Sequence, residues 1–75
     1  MTAPGPTSDR DARLRALRQA IAETVARRER LKADMAAWYA GGRRGRFPGW
    51  AELAAVDQAL SDLDIRFKRA YAAAD

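Results

Sequence analysis

Apolar residues return at alternating intervals of three and four along two long stretches of the chain. The first series is Leu14, Leu17, Ile21, Leu31, Met35 and Trp38, with polar Thr24 and Arg28 at the two positions between Ile21 and Leu31. The second series is Leu53, Val56, Leu60, Leu63, Phe67, Ala70 and Ala74. This spacing is the heptad of a coiled coil. It predicts two amphipathic helices whose apolar stripes, here called seams, face each other.

Glycine and proline collect between these two stretches. Gly41 and Gly42 can take the left-handed conformation that ends a helix, and Pro48 suits a first helical turn. We therefore expect a helix over 9–40, a basic glycine-rich turn over 41–48 and a second helix over 49–74. The predicted fold class is all-α, a two-helix antiparallel coiled-coil hairpin.

The start of the chain differs from the helical stretches. Residues 1–8 contain two prolines and a glycine and show no periodicity, so we expect a flexible tail there. Thr7 or Ser8 offers a side-chain oxygen to cap the first helix, which we expect to begin near Asp9.

A symmetric closure of the turn predicts the register of the hairpin. Trp38 would then lie near Trp50, and Leu31 near Leu60. In the same register Arg28 faces carboxylates at two positions, Asp62 and Asp64. A charge in a seam needs such a partner, so we expect an ion pair across the hairpin. Residues 9–15 would project beyond the end of the second helix.

Size and composition limit what the chain can do alone. It has 75 residues and neither cysteine nor histidine, so it has no disulfide and lacks the usual ligands of a zinc site. A domain this short buries a small fraction of its surface. We therefore expect the hairpin to complete its core by oligomerisation or by docking on a larger protein.

Catalytic chemistry finds no support in the sequence. Ser8 and Ser61 have no histidine to activate them, and no phosphate-binding loop or dinucleotide fingerprint is present. We expect no enzymatic activity, small-molecule substrate, cofactor or metal site. The N-terminal residues have no apolar core, and no apolar run approaches membrane-spanning length. The expectation is a cytoplasmic protein with no membrane partner, with non-classical export left open.

Aromatic residues bracket the turn. We expect Trp38 and Trp50 to plug the closed end of the hairpin, and Tyr39 and Phe47 to remain exposed. Other apolar residues lie outside the seams, on the overhang, beside the first seam and behind the second helix. The residues expected to contact a protein partner or a second copy are Leu14, Val25, Tyr39, Phe47 and Ile65.

The positive charge is concentrated in the first part of the chain. Residues 1–46 hold 11 Lys/Arg and 5 Asp/Glu, whereas residues 47–75 hold 3 and 5. Within the turn, Arg44-Gly45-Arg46-Phe47-Pro48 resembles the Arg-Gly-Arg-Pro core of AT-hook proteins, with a phenylalanine inserted before the proline. The resemblance implies contact with the minor groove of DNA. Candidate polyanion-binding residues are Arg43, Arg44, Arg46, Arg10 and Arg13.

Two hypotheses of function follow from these features. The first is a non-enzymatic assembly or adaptor module built on the hairpin. The alternative is a small basic nucleic-acid-binding protein that uses the arginine-rich turn and the first helix. A turn whose arginines are merely solvated fits the sequence as well.

Overall fold

The computed structural model of the chain describes residues 7–73, and of Thr7 and Ser8 only the backbone. Helix α1 spans Thr7–Ala40 and helix α2 spans Trp50–Ala72, and the two pack against each other. No strand occurs in this described range. The predicted all-α hairpin is therefore confirmed.

The helix ends differ slightly from the expected ones. Helix α1 begins two residues before Asp9, because Thr7 and Ser8 are already helical, and α2 begins one residue late and ends at Ala72. The rest of the expected tail, residues 1–6, and the final two residues lie outside the described part of the chain. So do the side chains expected to cap α1.

Glycines shape the backbone after α1. Gly42 and Gly45 have φ values of 80° and 89°, a left-handed region that side chains with a Cβ rarely adopt. The N–H of Gly41 still bonds to the carbonyl oxygen of Ala37 at 3.0 Å, whereas that of Gly42 bonds to Tyr39. The helix therefore ends where the sequence predicted, by a glycine-dependent cap.

The register of the hairpin differs from the symmetric prediction by one heptad. Leu31 packs in one buried cluster with Leu53 and Val56, not beside Leu60. Arg28 donates from Nε to Asp57 Oδ1 at 2.5 Å, so its partner across the hairpin is neither of the predicted aspartates. The predicted type of contact is present, but the predicted partners are wrong, because α2 is displaced by about seven residues towards the N-terminus of α1.

The new register also changes the open end of the hairpin, where the chain termini lie. Leu14 is only 7% exposed and lies level with Ala70, which is equally buried. The Arg10 guanidinium donates to the carbonyl oxygens of Ala70 at 3.3 Å and Tyr71 at 2.5 Å, and so caps the last turn of α2. The expected overhang of residues 9–15 is therefore wrong, because α2 reaches far enough to cover it.

Both polar positions in the first seam have partners. Thr24 donates its hydroxyl to the carbonyl oxygen of Ala20, one turn earlier, at 2.7 Å. Arg28 keeps 34% of its side chain exposed, so its ion pair with Asp57 lies at the edge of the seam. The seam therefore accepts two polar residues without burying an unpaired group.

The hairpin is a thin molecule with a small core. Its principal extents are 61 × 25 × 12 Å, and the two helices lie side by side in a single layer. Six apolar residues of the described range are buried, each still 6–8% exposed: Leu14, Leu31, Phe47, Leu53, Val56 and Ala70. Both broad faces of the hairpin are therefore open to solvent.

The observed register predicts a specific coupling between charges. In a double-mutant cycle, Arg28→Leu and Asp57→Asn should couple by about 0.5–1 kcal/mol in the free energy of unfolding, since the pair is about half exposed. Arg28→Leu alone should be neutral or stabilising, because apolar packing often matches such a pair. The cycle of Arg28→Leu with Asp64→Asn is the control and should be additive within about 0.3 kcal/mol. Coupling to Asp64 in place of Asp57 would restore the symmetric register.

Candidate interaction surfaces

An open groove of about 520 Å³ runs between the helices on one broad face, which we call the front face. Half-buried Ile21 and Leu60 lie in this front groove, and its sides include Val25, Arg28, Asp57 and Asp64. Val25 is 40% exposed, although it is an apolar residue next to the seam. The groove therefore presents apolar surface along its centre and charged groups at its edges.

Exposed aromatic residues extend the front face towards both ends. Residues seven apart share one side of a helix, so each edge of the front face is a heptad row. On α1 the row is Arg18, Val25, Lys32 and Tyr39, and on α2 it is Trp50, Asp57, Asp64 and Tyr71. Tyr39, Trp50 and Tyr71 are 48%, 47% and 61% exposed. Four of the five exposed large apolar residues of the described range therefore lie on this face.

Ile65 is the fifth, and it lies elsewhere. It is 48% exposed and points away from the seam of α2, with Ala51, Ala54 and Ala72 on the same side of the helix. This outer strip is interrupted by polar Gln58, Ser61 and Asp62. The structure thus leaves Val25, Tyr39 and Ile65 exposed as expected, whereas their role in partner binding stays a prediction.

The opposite broad face, which we call the back face, differs from the front face in the side chains that it exposes. Arg27 pairs there with Glu52 across the two helices, with Nη2 and Oε2 2.5 Å apart. Towards the open end, Arg13, Arg66 and Arg69 surround a shallow depression of about 340 Å³ over Leu17 and Ala70. None of these three arginines has a carboxylate partner among residues 7–73. The back face is therefore dominated by positive charge at the open end.

Phe47, not Trp50, plugs the closed end of the hairpin. Its side chain is 8% exposed and meets Trp38 edge to face, with ring centroids 6.3 Å apart. Trp50 is 47% exposed, so the expected roles of these two residues are exchanged. Turn residues run back along the last turns of α1, and this brings Phe47 onto Trp38 before α2 begins. Phe47 and Leu14 are thus core residues of the hairpin and not exposed sites for a partner.

Tyr39 and Gly49 hold this turn in place. The Tyr39 hydroxyl donates to the carbonyl oxygen of Gly45 at 3.1 Å and accepts from the N–H of Phe47 at 3.3 Å. A Cβ on Gly49 would lie 2.6 Å from the Phe47 ring, so only glycine allows the ring to fold under the first turn of α2. The hydroxyl of Tyr39 therefore serves the chain itself, while much of its ring faces solvent.

The candidate polyanion-binding residues fall into separate groups. Arg43, Arg44 and Arg46, the arginine turn, are exposed and have no carboxylate partner within the described range. Arg13 lies near the opposite end of α1, about 40 Å away at 1.5 Å per residue. Arg10 is engaged in capping α2 and lies 5.7 Å from the Tyr71 ring. The five residues do not form one surface.

Other kinds of site are absent from the described part of the chain. No group of three or more acidic residues, histidines or cysteines within residues 7–73 is placed to hold a metal ion. No helix in that range is long and apolar enough to cross a membrane. The structure of the described residues thus draws attention to surfaces and not to an enclosed site.

Sequence reasoning missed the α2 row of the front face. It treated Trp50 as a plug and did not assign Tyr71 to any surface. The signal was available in the sequence, because Trp50 and Tyr71 are 21 residues or three heptads apart, but this spacing has meaning only once the seam of α2 is known to face α1 in the observed register. Comparison with protein-family models, curated proteins and solved structures gives no match.

The exchanged roles of the two aromatic residues predict an order of stabilities. Phe47→Ala should lower the free energy of unfolding by about 3 kcal/mol, because it empties the plug. Trp50→Ala removes a larger side chain but should cost less than about 1.5 kcal/mol, because half of that side chain is already exposed. Urea unfolding of both variants measures the order, and Phe47→Leu supplies a milder variant. A larger loss for Trp50→Ala would contradict the observed turn.

Proposed function

We propose that the chain is a non-enzymatic assembly or adaptor module whose hairpin completes its core against another protein surface. The observation that carries the proposal is its single-layer architecture. Stable domains pack at least two layers of secondary structure around a core. Here one layer, 12 Å thick, exposes apolar side chains on its front face and along its outer strip.

The large exposed surface of the chain supports the same proposal. A compact protein of 8.3 kDa exposes about 4,600 Å² of surface, whereas this chain exposes 5878 Å². An interface of standard size buries about 800 Å² of each partner. Covering apolar surface stabilises by about 25 cal/mol per Å² before the costs of association. Docking therefore supplies what the small core lacks.

The proposal predicts low stability for the isolated chain. At about 1 µM, urea unfolding should give a free energy below about 5 kcal/mol, the lower end for ordinary domains. Circular dichroism monitors the unfolding and confirms that helices are present at the start. A monomer with more than about 5 kcal/mol of stability at that concentration would contradict the proposal, because such a hairpin has no need of a partner.

The arginine turn favours a second candidate function, the binding of nucleic acid. Three cations that have no carboxylate partner among residues 7–73 project from one turn, and arginine forms bidentate contacts with phosphate. Two bonds of the Tyr39 hydroxyl, to the carbonyl oxygen of Gly45 and from the N–H of Phe47, restrict the backbone of this turn, and glycine at 42 and 45 allows its left-handed φ values. A held backbone reduces the entropy lost when arginines engage a phosphate backbone. We propose this function as the alternative to assembly.

A matched pair of triple variants tests this alternative. Changing Arg43, Arg44 and Arg46 to serine should lower affinity for duplex DNA and reduce the salt slope by about one unit per lost phosphate contact. The control changes Arg13, Arg66 and Arg69 to serine, which removes the same charge from the open end. Fluorescence anisotropy at several salt concentrations measures both. Equal effects of the two variants would show a general charge effect and end the assignment to the turn.

A further inference from the structure

We infer that the front groove is the self-association surface of the protein, covered by a second copy of this chain to form an antiparallel four-helix bundle. The inference deepens the proposed assembly function and rests on it. It commits to one face of the hairpin, to one occupant and to one relative orientation of the two copies.

The apolar surface selects the front face. In a four-helix bundle each helix packs along its own hairpin seam and along a second row facing the other hairpin. Among residues 7–73, only the front face supplies large exposed apolar side chains in such second rows, with Val25 in one and Trp50 in the other. The exposed apolar side chains beside the ion pair on the back face are alanines. On the back face a second copy would bring Arg66 and Arg69 of both chains together at the open end. Like charges that meet in this way oppose association.

The charges on the two edges make the front face complementary to itself. The α1 row carries positive Arg18 and Lys32, and the α2 row carries negative Asp57 and Asp64. Asp57 and Asp64 already pair within the chain with Arg28 and Lys68, but these pairs are partly exposed and contribute little, so they can be exchanged for contacts with a second copy.

In the observed register Arg18 lies level with Phe67, with its guanidinium carbon 5.5 Å from the centroid of that ring, and therefore three residues or about 4.5 Å along the helix axis from Asp64. A second copy related by a two-fold axis parallel to the helices therefore places its Arg18 beside Asp64 of the first copy.

The other two-fold arrangement is disfavoured by the same charges. A two-fold axis that runs perpendicular to the helices and is centred near Val25 packs α1 of one copy against α1 of the other, so that Arg18 of one copy approaches Lys32 of the other. It also brings the acidic rows of the two copies together. Both arrangements make every neighbouring pair of helices antiparallel, but only the parallel axis pairs opposite charges, and it does so twice, as symmetry requires. The broad face, 61 × 25 Å, is large enough for an interface of standard size, about 800 Å² per copy.

Two matched substitutions test which face associates. Val25 and Ile65 are both exposed β-branched residues on helices, at 40% and 48%, and differ in the face they occupy. Light scattering of the full wild-type chain should give the mass of two chains. The Val25→Glu variant should raise the dimer dissociation constant by at least about 100-fold, whereas Ile65→Glu should raise it by less than about threefold. Circular dichroism at high concentration checks that both variants remain helical. A dimer lost with Ile65→Glu and retained with Val25→Glu would overturn the inference.

A charge-exchange experiment tests the orientation without relying on stability. Arg18→Asp alone and Asp64→Arg alone should each weaken self-association by about tenfold or more, because like charges then meet at both symmetric contacts. Mixing the two variants should restore association, since each variant residue meets its complement in the mixed dimer. A mixture that associates no better than its components would overturn the proposed orientation.

Failure of this inference and failure of the assembly function give different results. A wild-type monomer up to about 100 µM with stability below about 5 kcal/mol would overturn the second copy but leave assembly with another protein in place. A monomer with higher stability would overturn both. A dimer sensitive to Val25→Glu and restored by the mixed charge variants supports both.

Discussion

The contact between Phe47 and Trp38 is the constraint that sets the relation between the two helices. Two heptad seams can slide past each other by seven residues and still bury apolar residues against apolar residues, so the seams leave the register open. The turn decides it, because residues after Gly42 run back along α1 until the Phe47 ring is covered. Helix α2 therefore starts at a level on the N-terminal side of the end of α1. The ion pair of Arg28 and the burial of Leu14 at the far end both follow from that displacement.

The same geometry explains why the two broad faces differ. In the observed register Val25 lies beside the groove and near acidic side chains of α2, whereas Arg27 lies on the back and pairs with Glu52. Each face is bridged by an ion pair of partly exposed groups, which contributes little to stability by itself. The apolar content of the faces is what separates them. A one-layer hairpin has two such faces to cover, and the chain concentrates its uncovered aromatic residues on one.

Arginines at the two ends of the hairpin differ in the contacts that they make. Arg10 is used inside the fold, where it satisfies carbonyl groups at the end of α2. The arginine turn lies at the opposite end on a backbone held by Tyr39, outside the groove between the helices. A polyanion at the turn and a protein surface on the front face therefore do not compete for the same residues. Assembly and nucleic-acid binding are thus compatible in one molecule, although each proposal stands on its own observations.

The sequence by itself determined the two helices, the place of the turn and, within residues 7–73, the residues of both seams, because a seven-residue apolar repeat and a cluster of glycines are local signals. It also indicated correctly that Arg28 needs a carboxylate across the hairpin and that Val25, Tyr39 and Ile65 are exposed. It did not determine the register, since Asp57 and Asp64 occupy equivalent positions of successive heptads. Only the tertiary structure chose between them, because the burial of Phe47 depends on how the turn folds back in space. That choice moved Leu14 into the core and left Trp50 on the surface.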